Sequence, residues 1–310
     1  MQHLVCRPNI SSLRVTQVTT HLAYGRLTRR AMATASSSNL GPAPWRKLFL
    51  EHIQTMPSPE FSLGTVRKTA SATGVVYSPR ARTCVFRGLL AELPVNPKNE
   101  AELNPDVYGS DLLTLTTDCR MDKTAELFGA EEASGDDRLK GSGGGAPVEA
   151  VFWAKEPSTQ WRVRGRAYVL APDVEESPEG KEVMATLTSR MRGKGSGQWS
   201  FAREITAHFG NLSPRMRGTF RNPPPGTPVA RPVEDSRLGL GQKVTDLRDE
   251  VVRGNFRLVV VVPEELDRCD LSDPERGRRW LYTYVGGGRS GPTTDGASVQ
   301  DGWEEVEVWP

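Results

Sequence analysis

The chain has 310 residues, 30 Gly, 23 Pro and a formal net charge of +2. Such a small net charge argues against a nucleic acid or an acidic membrane as the partner. The four cysteines contain no CxxC pair, which argues against a zinc ribbon and a secreted disulfide scaffold. No apolar run approaches the ~20 residues that cross a bilayer, so we expect a loop-rich globular protein of a reducing compartment.

The N-terminal segment differs in composition from the rest of the chain. Residues 1–38 contain five Arg residues and no acid, and the first carboxylate is Glu51. This composition is typical of an organelle transit peptide, which predicts a mitochondrial location. The alternatives are a cytoplasmic protein with a disordered tail, or translation starting at Met32. We expect residues 1–43 to be disordered and to lie outside the fold.

The next part of the chain reads as one helix followed by strands. Apolar spacing predicts a helix over Trp45–Thr55, which Pro57 ends. A short helix is predicted from Met121 to Gly129, with Gly129 as its C-cap. The strand-like runs are Ser62–Thr69, Thr73–Tyr77, Thr83–Leu90, Asp111–Thr117, Val148–Ala154 and Trp161–Leu170. Short strands at this spacing predict a mainly β fold with flanking helices, built as a closed antiparallel barrel of about six strands.

The second half mixes helices, strands and loops within the same domain, which we expect to span residues 44–310. Predicted helices are Glu182–Arg192, Trp199–Phe209 and Val244–Val252, and predicted strands are Phe256–Val262, Trp280–Val285 and Val306–Trp309. Gly, Pro, Ser and charged residues predict flexible insertions at 130–147, 193–197, 223–241 and 286–302.

Three segments place polar or cationic side chains at the ends of predicted strands. They are Arg82–Arg87, Thr116–Lys123 and Gln160–Gly165. Arg offers a planar fork and Lys a point charge to phosphate oxygens, and a helix beginning near Lys123 adds free N–H groups. The segments therefore suggest a site for an anionic ligand. The alternative is that the cations are solvated surface residues and that Gln160 is a turn residue.

Taken in order, these segments resemble the split-barrel flavoproteins around pyridoxamine 5′-phosphate oxidase. The order is R-x-x-x-x-R, T-x-x-x-R-x-x-K, Q-x-R-x-x-G and a terminal G-W…P, and the similarity extends over residues 44–310. It is greatest to the oxidase-like FMN-binding branch first noted in cyanobacteria and also found in fungi and plants. The resemblance implies an FMN-binding split barrel, FMN as a non-covalent cofactor, and a homodimer whose sites form between subunits.

The resemblance also implies roles for individual residues. Arg82, Arg120 and Lys123 would hold the phosphate, and Val85 and Arg87 would lie along the flavin. Thr116 and Thr117 match a Tyr-Thr pair, Gln160 would bind the ring edge, Ser213 matches the Ser of a Gln-Ser pair, and Arg279 matches an Arg near the far side of the ring. Arg87 and Arg190 would lie on the substrate side.

Two departures from the family pattern concern the substrate. Thr186 stands where the oxidase has a Tyr that holds the vitamin phosphate, and Gly277 stands where it has a His. We therefore expect an FMN-dependent oxidoreductase acting on an unknown small molecule. The alternatives are a non-catalytic flavin-binding or sensing protein, a genuine pyridoxamine 5′-phosphate oxidase, or a barrel that binds haem or a deazaflavin.

The sequence identifies no catalytic residue and no metal site. No side chain stands out as a general base. His52 and His208 lie on predicted helices, and neither has a second His or Cys at ligand spacing.

Overall fold

The computed structural model describes residues 40–130, 137–289 and 291–310. These residues belong to one compact unit that spans 35–310. The predicted targeting segment, residues 1–38, lies outside the described residues. The prediction that residues 40–43 lie outside the fold is wrong. The Ala43 N–H donates to Asp111 at 3.0 Å, and the Ala43 side chain is buried.

The fold is mainly β, with six α-helices and eleven strands in the described ranges. The helices are α1 (Arg46–Gln54), α2 (Lys123–Phe128), α3 (Pro178–Thr188), α4 (Phe201–Gly210), α5 (Pro214–Gly218) and α6 (Glu250–Asn255). The strands are β1 (Glu60–Ser71), β2 (Gly74–Val85), β3 (Tyr108–Ser110), β4 (Leu113–Asp118), β5 (Gly143–Ala154), β6 (Thr159–Leu170), β7 (Met191–Gly193), β8 (Phe256–Asp270), β9 (Arg278–Tyr284), β10 (Ser298–Gln300) and β11 (Trp303–Val308). No helix in the described ranges is long and apolar enough to span a membrane.

Six strands close into an antiparallel barrel. The pairing runs β2–β1–β5–β6–β8, and β4 pairs with the free edge of β8. The segment that continues β2 closes the ring, because the Arg87 N–H donates to the Thr114 carbonyl at 2.8 Å and the Leu90 N–H to the Leu112 carbonyl at 2.9 Å. The predicted barrel of about six strands is therefore confirmed, and β9, β11 and β10 extend the sheet beyond it.

Several predicted boundaries differ from the structure. The predicted run Thr73–Tyr77 and the start of the run Thr83–Leu90 are joined in β2, which ends at Val85, because an edge strand accepts Pro79 without losing a ladder hydrogen bond. The helix predicted over Val244–Val252 is wrong for its first part. Helix α6 begins at Glu250, where the Asp249 carboxylate accepts the N–H of Val252 at 3.2 Å. Strand β5 begins at Gly143, inside the segment predicted as a loop.

Two hydrophobic cores lie on opposite faces of β8. Val259 and Val261 pack in the barrel interior, while Leu258 and Val260 belong to a second core with residues of α3, α4 and α6. The first half of β8 is therefore buried on both faces, which explains its continuous apolar sequence. Helix α1 contributes Phe49 to the barrel core, where its ring makes edge contacts with the rings of Phe86, Phe152 and Trp161.

The barrel splits at the middle of β8. Strand β4 pairs with β8 as far as Val261, and β9 begins to pair at Glu265. Pro263 lies between them and has no N–H to continue the ladder. Arg190 fills this gap, because its Nη2 donates to the Pro263 carbonyl at 2.8 Å and its guanidinium lies 3.4 Å from the centroid of the Tyr284 ring.

The pairing of β8 with the facing strand β6 has a bulge at the same level, where Glu264 of β8 is the extra residue. The register of β6 on β8 shifts between Arg164 and Gly165, and Gly165 pairs with Pro263. A Cβ atom on Gly165 would lie 2.0 Å from the carbonyl oxygen of Val262. The two backbones can approach this closely only because position 165 has no side chain.

We predict that Gly165→Ala destabilises the protein by at least about 1–3 kcal/mol, because the added methyl group forces apart two backbones at the barrel split. Thermal or urea unfolding measures the change. Gly254→Ala is the matched control, since Gly254 lies within α6 and a Cβ atom added there would have no neighbouring atom within 4 Å. Helix propensity predicts that this control gains about 0.5–1 kcal/mol. Equal stability of Gly165→Ala and the wild type would contradict the close approach of the backbones at Gly165 and Val262.

Candidate functional site

Arg82 and Lys123 form the centre of a group that we call the inner cluster, together with Thr117, Thr65 and Glu126. Arg82 pairs with Leu63 in the β1–β2 ladder and therefore points to the interior side of the barrel wall. Lys123, the first residue of α2, donates from Nζ to Thr117 Oγ1 at 2.9 Å. Both cations lie within electrostatic reach of the Cys84 thiol.

Among the described residues Lys123 forms no salt bridge, whereas Arg82 of the inner cluster pairs with Glu126. In the described ranges no carboxylate pairs with its ammonium group, and Thr117 takes only one of its three donors. Burial lowers the pKa of Lys123 below its usual value. An anion placed beside Nζ would offset this desolvation, so the site fits a phosphate group.

Glu126 is a site residue that the sequence analysis missed. Its side chain is buried, and its carboxylate accepts hydrogen bonds from Arg82 and Thr65, and from Arg67 Nε at 3.0 Å. Arg67 is two residues beyond Thr65 and four beyond Leu63, both buried, and so shares their face of β1; its inward orientation could therefore have been inferred. A buried cation requires a partner, and this signal points to an acid on the covering helix.

In the structure Arg120 makes its hydrogen bonds to groups outside the inner cluster. Its guanidinium donates to the Asp118 carboxylate at 2.9 and 2.6 Å and to the carbonyls of Phe220 and Asn222. Phe220 packs in the core to which α3, α4 and α6 contribute. Arg82 and Lys123 are thus brought together, while Arg120 is engaged elsewhere.

The end of β2 and the segment that continues it contain Val85 and Arg87. The neighbouring strand β4 contains Thr116. Thr116 alternates with Thr117 and so lies on the opposite face of β4. Val85 is half-buried at the last position of β2. Arg87 has a buried Nε without a hydrogen-bond partner among the described residues, and burial lowers its pKa.

A second group lies on the outer face of the barrel, and we call it the outer row. It consists of Trp153, Gln160, Cys269 and Arg279 on four neighbouring strands, paired in that order in the ladders. Gln160 and Arg279 are therefore two strand spacings apart, about 9.5 Å, with Cys269 between them. Trp153 is 48% exposed, so an aromatic surface adjoins these polar groups.

Ser213 and Arg190 lie apart from both groups and have structural contacts. Ser213 is exposed and is the N-cap of α5, where its hydroxyl accepts the Met216 N–H at 3.2 Å. Arg190 occupies the barrel split described above, and burial lowers its pKa. It lines a pocket with Asp111, Arg192 and Trp303.

The inner cluster and the outer row lie on opposite faces of one wall. Arg82, Leu63, Ala150 and Val163 are at one level of the ladders, three strand spacings from β2 to β6. This corresponds to about 14 Å along the wall, perpendicular to the strands. A single copy of the chain therefore directs the two groups to different sides.

A family model matches part of the chain. Residues 42–171 match the family model described as the FMN-binding domain of pyridoxamine 5′-phosphate oxidase. The resemblance inferred from the sequence is confirmed for this segment, which is shorter than the predicted 44–310. The match supports FMN as the cofactor. No curated protein matches the chain.

Two solved structures are similar to the chain at low identity. One is a pyridoxamine 5′-phosphate oxidase-related, FMN-binding protein from Nostoc punctiforme PCC 73102, with 18% identity, coverage of 87% of this chain and 100% of that chain, and a TM-score of 0.49. The other is PhzG from Burkholderia lata 383 in complex with tetrahydrophenazine-1-carboxylic acid, with 13% identity, coverage of 85% and 90%, and a TM-score of 0.38.

We predict that Glu126→Gln lowers the free energy of unfolding by about 3–5 kcal/mol, because it leaves buried guanidinium groups without their carboxylate. Chemical unfolding followed by far-UV circular dichroism measures the loss. Asp122→Asn is the control, since Asp122 pairs with Arg67 at 2.7 Å but its side chain is 65% exposed. The control is expected to change stability by less than about 1 kcal/mol. Similar effects of both substitutions would contradict a special role for Glu126.

Proposed function

We propose that the protein binds FMN non-covalently and acts as an FMN-dependent oxidoreductase on a small molecule. The observation that carries the proposal is the inner cluster, in which a partly buried Lys123 without a carboxylate partner among the described residues lies beside Arg82. Residues 42–171, which match an FMN-binding domain, contain this cluster.

The inner cluster provides donors for the FMN phosphate. Lys123 Nζ has two N–H groups left after its bond to Thr117, and each charge-assisted hydrogen bond contributes about 1.5–3 kcal/mol. Glu126 holds Arg82 and neutralises part of its charge. Lys123 is therefore the cation of the inner cluster that a bound phosphate would stabilise most.

The outer row provides a surface for the flavin ring. Gln160 offers an amide to the polar edge of the ring, and Arg279 offers a guanidinium two strands away. Bound flavin would supply the hydride chemistry, and the side chains would orient its ring and tune its electronics. Arg87, whose buried Nε has no partner in the described ranges, is available on the substrate side.

We propose a homodimer in which each site draws on both copies. The inner cluster and the outer row of one copy lie on opposite faces of the barrel wall, so a second copy would supply the group that the first cannot present. Dilution below the dimer dissociation constant is therefore expected to release FMN.

A non-catalytic flavin-binding or sensing protein is the second candidate. It is favoured by the engagement of Arg190, whose guanidinium is stacked on Tyr284 and bonded to the Pro263 carbonyl. A substrate anion would have to compete with these contacts. The Thr186 hydroxyl would also have to give up a bond before it could donate to a substrate phosphate, because it donates to the Glu182 carbonyl of its own helix at 3.0 Å.

We predict that Lys123→Met weakens FMN binding about 10- to 100-fold without unfolding the protein, because it removes a charge-assisted contact to the phosphate. Quenching of flavin fluorescence on titration measures the dissociation constant. Arg82→Ala should weaken binding as well, and it should also destabilise the fold because Glu126 loses a partner. Lys47→Ala is the control, since the Lys47 side chain is 90% exposed on α1. Retention of FMN by both site variants would refute the phosphate site.

We predict that pyridoxamine 5′-phosphate is a poor substrate, because Thr186 and Gly277 replace the family's Tyr and His. Anaerobic mixing with NADH or NADPH, followed by oxygen uptake, distinguishes the two proposed functions. The oxidised flavin ring absorbs at about 450 nm, and loss of this absorption on mixing indicates an enzyme. Stable oxidised flavin with both donors favours the sensing protein, and efficient turnover of pyridoxamine 5′-phosphate would contradict our assignment.

A further inference from the structure

Asp267 is a buried carboxylate on the outer face of the barrel. It lies two residues from Cys269 on β8 and therefore shares the face of the outer row. Its side chain is only 3% exposed, although this face of the sheet is otherwise polar. Such a carboxylate requires cationic partners, and these come from the strands on both sides.

Arg279 on β9 is the principal partner of Asp267. Its Nε donates to Oδ1 at 2.9 Å and its Nη2 to Oδ2 at 2.7 Å. Arg162 on β6 approaches from the other side, with Nη1 at 3.3 Å from Oδ2, but its Nε is bonded to Glu149 at 2.6 Å. The two parallel bonds from Arg279 fix the plane of its guanidinium group, which a single bond would not do.

The pairing with Asp267 determines the orientation of the Arg279 guanidinium group. In the ladder Arg279 lies opposite Cys269, and its side chain extends diagonally to Asp267. One edge of the guanidinium is used by the carboxylate, and Nη1 makes no hydrogen bond within the described ranges. Nη1 is therefore available beside the outer row, in an orientation that Asp267 sets.

We propose that Asp267 is a positioning residue that holds Arg279 in the orientation required by the flavin ring. The inference rests on the proposed function, because it assumes that FMN lies against the outer row. Asp267 itself would not contact the flavin, since its two oxygens are covered by Arg279 and Arg162.

Glu265 provides a matched control on the same strand and face. It lies two residues from Asp267 and pairs with Arg164 Nη1 at 2.7 Å, and it does not contact Arg279. Glu265→Gln and Asp267→Asn therefore each remove one carboxylate charge from the same network of ion pairs. Only the second releases Arg279.

The test is a double-mutant cycle in FMN affinity, measured by flavin fluorescence quenching on the full chain. We expect Asp267→Asn and Arg279→Gln each to weaken binding about tenfold, a change of about 1.4 kcal/mol. The double variant should bind no more weakly than Arg279→Gln alone, because Asp267 acts through Arg279. Glu265→Gln should bind like the wild type.

Independent effects that multiply to about a hundredfold in the double variant would overturn the proposal, as would wild-type affinity of a folded Asp267→Asn. Failure of the wild type to bind FMN would overturn the proposed function and the inference with it. If Asp267→Asn does not fold, Arg279→Lys replaces it in the test. Lysine keeps the charge but cannot form the fork, so we expect it to bind like Arg279→Gln, and wild-type affinity would overturn the proposal.

Discussion

Strand β8 is hydrogen-bonded to β6 along most of its length, while β4 and β9 share its other edge, and the architecture depends on this division. Strand β8 has fifteen residues, and two partners therefore fit one after the other along this edge. Its first half closes the barrel, and its second half begins the extension through β9 and β11. Pro263 interrupts the ladder where one partner replaces the other, and Gly165 lets the facing strand follow the bend.

The gap at this division is filled by side chains rather than by backbone hydrogen bonds. Arg190 satisfies the Pro263 carbonyl and stacks on Tyr284, whose ring contacts Trp303 at a centroid distance of 5.3 Å. Trp303 in turn contacts Trp45 next to α1, at 5.6 Å. The split is thus connected to the aromatic core inside the barrel, which gives Arg190 a structural role besides any role toward a substrate.

Both faces of the barrel wall carry charged side chains. On each face, one carboxylate shared by two arginines offsets the free-energy cost of burying these charges. On the inner side Glu126 is shared by Arg67 and Arg82, and on the outer side Asp267 is shared by Arg162 and Arg279. A buried carboxylate with two guanidinium partners has its charge offset and most of its lone pairs satisfied. The arginines that these acids hold are thereby fixed in place, and Lys123 is left as the cation of the inner cluster with free donors.

The class of fold and the local elements could be predicted from the sequence, because alternation and turn residues act over a few positions. The barrel strands were predicted in this way, as were the helix after β4 and its cap at Gly129, which has a φ of 62°. Which side chains meet was established only by the folded chain. Arg120 follows β4 near Lys123 yet bonds to Asp118 and the 220–222 turn, whereas Arg82 reaches Glu126 across the barrel end. The contacts of Arg82 with Glu126 and of Arg120 with the 220–222 turn join segments far apart in the chain, and the pattern within one segment does not encode its long-range neighbours.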